Sequence, residues 1–221
     1  FNVNGTLTLA KQAISTGVKR FIFISSIGVL GNKSNSSFDE GALENPYSDY
    51  TVSKLKAEKE LLELAELTNL EVVIIRPVLV YGANAPGNFS KLKSLIDKSP
   101  FLPFGSVNNK RSFVSIINLV SFIRLCISHS VAKNEVFCIS DDKDVSIKEF
   151  TNSISFGLSK KVAQLPVPVW FMKFVGKLLR KEDMVEQLVG DLQVDINKAK
   201  TLLGWAPVET MGQSMKKLKV K

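Results

Sequence analysis

Two short runs with no polar alternation organise the pattern of this chain, Phe21-Ile22-Phe23-Ile24 and Val72-Val73-Ile74-Ile75. A strand wetted on one face alternates apolar with polar, whereas one covered on both faces reads as a continuous apolar run, so both predict buried parallel strands. A helix-period stretch precedes each. Residues 4–17 carry Leu7, Leu9, Ala10, Ala13 and Ile14 as an apolar stripe with Gly17 as the C-cap, ahead of a strand over 21–25. Asn45-Pro46 opens a second helix, with Leu55, Leu62 and Ala65 as its apolar positions and Glu58, Lys59, Glu60 and Glu63 as its wet face. A strand over 71–76 follows, closed by Pro77. Strand, helix, strand predicts a right-handed crossover in an α/β fold. The Gly-, Ser- and Asn-rich loop 27–39 lies at the carboxyl end of the first strand, where open α/β sheets place ligands.

From Val78 the texture changes. Residues 81–88 are turn-rich, a short helix spans 89–98, and a second loop covers 100–109. A strand over 111–115 leads into a helix over 117–128, and a further strand spans 135–140. Ser146 and Glu149 have capping-box spacing at the start of a helix that runs toward Phe156. The apolar stretch 167–179 could lie on a membrane surface, but in a soluble chain it reads first as a buried helix packing a small, looser lobe. Residues 195–204 form a helix stopped by Gly204 and Pro207. There is no internal repeat or low-complexity segment.

With 221 residues and 45% hydrophobic composition the chain can bury a substantial core. Its apolar runs are far shorter than the ~20 residues a membrane span needs, and Phe1-Asn2-Val3-Asn4 lacks a basic segment leading into an apolar one. Neither export nor anchoring is therefore expected, and the compartment expected is cytoplasmic. Cys126 and Cys138 stand in apolar surroundings and read as buried free thiols, with no metal site. A formal charge of +8 raises the question of a polyanion partner, but the densest basic groups are Lys216 to Lys221 and the set Lys173, Lys177, Arg180 and Lys181. These read as a frayed tail and a solvated helix face, so neither a nucleic-acid nor a membrane partner is expected. A basic surface also suits a diphosphate-bearing small substrate.

Candidate chemistry centres on Tyr50-Thr51-Val52-Ser53-Lys54, where tyrosine and lysine share one helical face, and on Ser26 at the end of the first strand. A phenol of pKa ~10 is a poor base near neutrality unless a nearby cation favours its anion. A serine hydroxyl beside it can hydrogen-bond the reacting oxygen, which completes a proton-transfer unit. Tyrosine and lysine at this spacing are common, and context gives the pair its meaning. Asn2-Val3-Asn4-Gly5-Thr6 with Gly17-Val18-Lys19-Arg20-Phe21, Ser25-Ser26-Ile27-Gly28-Val29-Leu30-Gly31, Ile75-Arg76-Pro77-Val78-Leu79-Val80-Tyr81-Gly82, Lys110-Arg111-Ser112-Phe113-Val114 and Leu202-Leu203-Gly204-Trp205-Ala206-Pro207 occur in order along the chain. Together with the Tyr50–Lys54 motif they resemble the extended branch of the short-chain dehydrogenase/reductase superfamily, its NAD-dependent nucleotide-sugar epimerases and dehydratases, most of all those of the UDP-glucose 4-epimerase type.

The resemblance implies a partial Rossmann-type doubly wound parallel sheet over residues 1–80, with the catalytic groups, and a mainly substrate-binding α/β lobe over 81–221, some of whose segments return to the sheet. It implies Ser26, Tyr50 and Lys54 as catalytic residues. Ser25, Tyr50, Lys54 and Pro77 would meet NAD or NADP, and Asn88 and Arg111 the UDP-sugar substrate. It also implies a homodimer through a four-helix interface built from the helices 6–14 and 46–65. Arg111 suits phosphate because a guanidinium grips two oxygens at once.

Two departures shape the expectation. The Gly-rich strand-turn-helix that receives the dinucleotide pyrophosphate is absent, and the sequence starts where roughly the first third of a full member would have passed. The cofactor cradle is thus incomplete, and weak or no NAD(P) binding and an inactive fragment are expected. Where dehydratases of this branch carry an Asp-Glu pair after the serine, this chain has Ile27-Gly28, which cannot protonate a leaving hydroxyl. That leaves a 4-epimerase acting on a UDP-hexose, a 4-keto-6-deoxy sugar-nucleotide reductase, or a non-catalytic remnant that binds a sugar nucleotide or a partner.

Overall fold

In the computed structural model, which describes residues 2–34 and 36–219, the chain enters on helix α1 (Asn2–Ser15), turns at Gly17 with φ of +77°, and runs into strand β1 (Arg20–Ile24). Helix α2 (Asp49–Leu67) leads to β2 (Glu71–Pro77), which pairs parallel with β1 from Arg20 opposite Glu71 to Ile24 opposite Ile75. Then come β3 (Leu79–Tyr81), α3 (Asn88–Lys98), β4 (Phe101–Leu102), β5 (Phe113–Ser115) and α4 (Ile116–Ser128). Strand β6 (Glu135–Ile139) returns to β2, giving the parallel order β1-β2-β6. The remaining elements are α5 (Ile147–Gly157), β7 (Ala163–Gln164), α6 (Val169–Leu178), α7 (Glu182–Val189), α8 (Asn197–Leu203) and α9 (Met211–Lys216). Strands β3 and β5, and β4 and β7, form two further parallel pairs.

The continuous apolar runs follow from burial on both sheet faces. Val72 and Ile74 point to a layer containing Ala10 of α1 and Ala57, Leu61 and Ala65 of α2. Val73 and Ile75 point the opposite way, to Phe122 of α4, Phe137 of β6, and Ala199, Leu203 and Trp205 in and after α8. At about 1.5–3 kcal/mol per fully buried side chain, these two layers supply most of the driving force for this half of the molecule. A separate core gathers Tyr81, Phe89, Phe104, Phe113 and Phe150. The rings of Phe113 and Phe150 stack at 3.8 Å, so this lobe is closely packed where the loop-rich sequence suggested something looser. Asp141 joins the two halves. It accepts from Tyr81 Oη at 2.6 Å, the Ser115 amide at 2.9 Å and Asn118 Nδ2 at 2.7 Å.

Several expectations need correction. Helix α2 starts at Asp49, not at Pro46, because Ser48 and Thr51 make a reciprocal capping box that satisfies both terminal amides. Glu58 is 1% exposed and does not belong to a wet face. Leu9 is 57% exposed and lies off the packed stripe of α1. The stretch 167–179 does not bury its aromatics: Trp170 and Phe174 are 70% and 60% exposed. The basic tail at 216–221 is described only in part, with Val220 and Lys221 outside the described residues.

Candidate active site

The carboxyl ends of β1 and β2 lie side by side, and the Ser25 amide donates to the Ile75 carbonyl at 2.7 Å. Ser25 Oγ is buried with no hydrogen-bond partner. Ser26 is extended, and its Oγ accepts from the Gly28 amide at 3.1 Å, which starts a 3-10 turn over Ile27–Val29. This turn rests against the start of α2. A Cβ on Gly28 would lie 2.7 Å from Thr51 Cγ2 and 3.2 Å from the Tyr47 ring, so only glycine fits without displacing a buried side chain.

Helix α2 turns Thr51 into the protein and leaves Tyr50 53% exposed over the strand ends. Lys54, one turn on, donates from Nζ to the Ile24 carbonyl at 2.7 Å and lies 4.4 Å from the Phe23 ring and 5.9 Å from the Tyr50 ring. Burial pushes the Tyr50 phenol above its ordinary value. Burial also pulls Lys54 down, and the Glu58 carboxylate opposes that. The ammonium was expected to depress the phenol, but here it is drawn to a backbone carbonyl and desolvation sets the direction. One further turn along α2, Glu58 pairs with Arg76 of β2 at 2.6 Å and 3.1 Å, both side chains nearly inaccessible.

Arg111 is 9% exposed, donates to the Gly190 carbonyl at 2.8 Å, and has no carboxylate within ion-pair distance among the described residues. Burial pulls its guanidinium down to about 10, still protonated at neutrality. Tyr47 stands near enough to feel both Arg111 and Tyr50, and Gln187 of α7 donates to its hydroxyl at 3.4 Å. Of the remaining expected residues, Pro77 ends β2 opposite Ile139, two positions beyond Ile75, the partner of Ile24. Asn88 is exposed at the first position of α3, with no hydrogen bond to Ser26, Tyr50 or Lys54. The structure thus brings Ser25, Ser26, Tyr50, Lys54 and Pro77 to one sheet edge. Tyr47 and the Glu58–Arg76 pair were missed as site residues. Tyr47 sits three residues before Tyr50, a possible signal, but nothing local marks Glu58 as buried.

Residues 1–140 match the model of the NAD dependent epimerase/dehydratase family. The chain belongs to that family. It is 49% identical over 218 residues to a UDP-glucose 4-epimerase of Vibrio cholerae, covering 97% of this chain and 66% of that protein. It is also 31% identical over 170 residues to an N-acetyl-α-D-glucosaminyl-diphospho-ditrans,octacis-undecaprenol 4-epimerase of Escherichia coli O157:H7, covering 76% of this chain and 51% of that one. The chain therefore spans about half to two thirds of the length of these relatives. Among solved structures, the UDP-glucose 4-epimerase of Thermotoga maritima with UDP-glucose superposes with a TM-score of 0.76 at 24% identity, covering 99% of this chain and 68% of that one, which shows the shared fold. In this member of the epimerase/dehydratase family, the crowding at Gly28 leaves no room at that position for an acidic side chain unless Thr51 or Tyr47 shifts.

Proposed function

We propose that the protein is a nucleotide-sugar 4-epimerase acting on a UDP-hexose in the cytoplasm. The observation that carries this reading is Lys54, one turn after Tyr50 on α2, bonded to the carboxyl end of the strand that leads into Ser26, with a buried Arg111 that has no ion-pair partner among the described residues. The name of the Vibrio cholerae relative supports the substrate class.

Residues on this edge fit a dinucleotide on its nicotinamide side. Ser25 Oγ is an orphaned buried hydroxyl, and Lys54 keeps two ammonium protons after its bond to Ile24. NAD, when bound, supplies the reversible hydride acceptor that erases and restores the configuration at the sugar carbon. Tyr50 takes the proton of the reacting hydroxyl and returns it. Lys54 holds ribose hydroxyls, and its ammonium, one turn from Tyr50, favours the phenolate against the burial that raises the phenol. Ser26 steadies the sugar oxygen, and Arg111 grips the diphosphate with the donors that Gly190 leaves free.

The test is interconversion of UDP-glucose and UDP-galactose in the presence of NAD by these 221 residues joined to a preceding Gly-rich strand-turn-helix, since weak or no NAD binding is expected of them alone. Tyr50→Phe should lower turnover by about 10²–10⁴-fold while UDP affinity is kept. Arg111→Ala should weaken UDP binding by calorimetry about tenfold or more while the reaction persists at saturating substrate. NADPH consumption with a 4-keto sugar nucleotide and no epimerisation would overturn the reading in favour of a reductase.

A further inference from the structure

Tyr47 stands in the site without a part in the chemistry described so far. Its ring lies on the serine turn. The position that a Cβ on Gly28 would take is 3.2 Å from Tyr47 Cε1 and 3.3 Å from Ser26 Oγ, so the ring edge and the serine hydroxyl are close neighbours. The Tyr47 hydroxyl reaches the small lobe instead, where it accepts from Gln187 Nε2 at 3.4 Å. Gln187 belongs to the last turn of α7, and Gly190, which ends that helix, holds Arg111 through its carbonyl at 2.8 Å. Tyr47 and Arg111 are therefore anchored to groups three residues apart on one helix end, about 4.5 Å along its axis.

The side chain is 37% exposed, so it borders the open side of the site and is not part of the core. Burial pushes its phenol above the ordinary value, Arg111 opposes that, and Asp183 and Tyr50 add to it, so the hydroxyl keeps its proton at neutral pH. Because Gln187 supplies an N–H to the phenol oxygen, the proton of the phenol itself is left to donate elsewhere.

We propose that Tyr47 is a specificity-determining residue that donates from Oη to a ring hydroxyl of the hexose, with Gln187 as the positioning residue that aims it. On the sugar-nucleotide reading, on which this rests, the reacting carbon meets Ser26 and Tyr50 while the diphosphate meets Arg111. The hexose ring between them is then bordered by a side chain that touches the serine turn at one end and the helix holding Arg111 at the other. A packing role would need only the aromatic ring, and phenylalanine would fill it equally well.

Calorimetry with UDP and with UDP-glucose, on the protein and two variants, tests this. Tyr47→Phe keeps the ring against Gly28 and removes the hydroxyl. It should weaken UDP-glucose binding about fivefold and leave UDP within about twofold, because a hydrogen bond to the sugar is lost and the grip on the diphosphate is not. Gln187→Ala should weaken UDP-glucose binding about two- to threefold in the parent and have no further effect once Tyr47→Phe is present. Equal affinity of Tyr47→Phe and the parent for UDP-glucose, with UDP bound as before, would overturn the role of Tyr47 and leave the sugar-nucleotide reading standing. An equal loss of UDP and UDP-glucose affinity, in a variant that circular dichroism shows to be folded, would overturn it too, as the mark of a structural role. Failure of the parent to bind UDP at all would sink the sugar-nucleotide reading, and the role of Tyr47 with it.

Discussion

The ion pair of Glu58 and Arg76 is the clearest case of one residue's environment being set by another far from it in sequence. Both side chains are nearly inaccessible, and the guanidinium meets both carboxylate oxygens. Each charge is tolerated in the interior because the other is there, and removing one leaves the other desolvated and unpaired. Arg76→Met should therefore destabilise the protein by about 3–5 kcal/mol, whereas Glu58→Leu combined with Arg76→Met should recover most of that loss. Thermal unfolding of the two variants side by side checks it. The pair also matters for chemistry, since the Glu58 carboxylate keeps the partly buried Lys54 charged against the cost of burial.

Helix ends carry information that the sequence states openly. At α5 the Ser146 hydroxyl accepts from the Glu149 amide at 3.1 Å, and Glu149 returns a bond to the Ser146 amide at 2.7 Å, the reciprocal cap its spacing announces. The same bonds hold the Glu149 carboxyl below its ordinary 4.5. A carboxylate whose pKa is depressed in the fold contributes stability above its unfolded pKa and loses it as the pH falls through the folded one. Ser146→Ala should cost about 1 kcal/mol at pH 7, measured by urea unfolding. The difference from the parent should shrink as the pH falls through the depressed pKa of Glu149, because the protonated carboxyl no longer accepts from Ser146 as a carboxylate. At α2 the cap used Ser48 and Thr51 rather than the proline three residues earlier, so the helix starts later than Asn45-Pro46 suggests.

For the whole molecule, α1 lies along α2, with Asn2 Nδ2 donating to Ser53 Oγ at 3.0 Å and Leu9 and Val52 left 57% and 50% exposed. We propose this helix pair as a surface through which two copies associate in a four-helix arrangement. Sedimentation velocity should show a dimer for the protein and a monomer for Leu9→Arg, with the catalytic groups otherwise undisturbed; a parent that stays monomeric at high concentration would refute it. Such a contact would occupy the side of the sheet away from Trp205.

Much of this architecture is legible in local sequence. The buried parallel strands announce themselves as unbroken apolar runs, Gly204 ends α8 in the left-handed region at φ of +63°, and Lys54 reaches the carbonyl of Ile24 from the turn after Tyr50. These features depend on neighbours within a few residues, and such neighbours are visible in a string of letters. What tertiary structure decided is which polar and aromatic side chains are dry. Glu58 reads as a wet helix position until Arg76 arrives from the adjacent strand, and Tyr47 reads as part of the second helix, whereas it precedes α2 and accepts from Gln187. Trp170 and Phe174 read as core until the packed lobe fills its interior with Phe89, Phe113 and Phe150 and leaves them outside. Periodicity reports how apolar a face is, but the volume available in the core determines whether that face is buried.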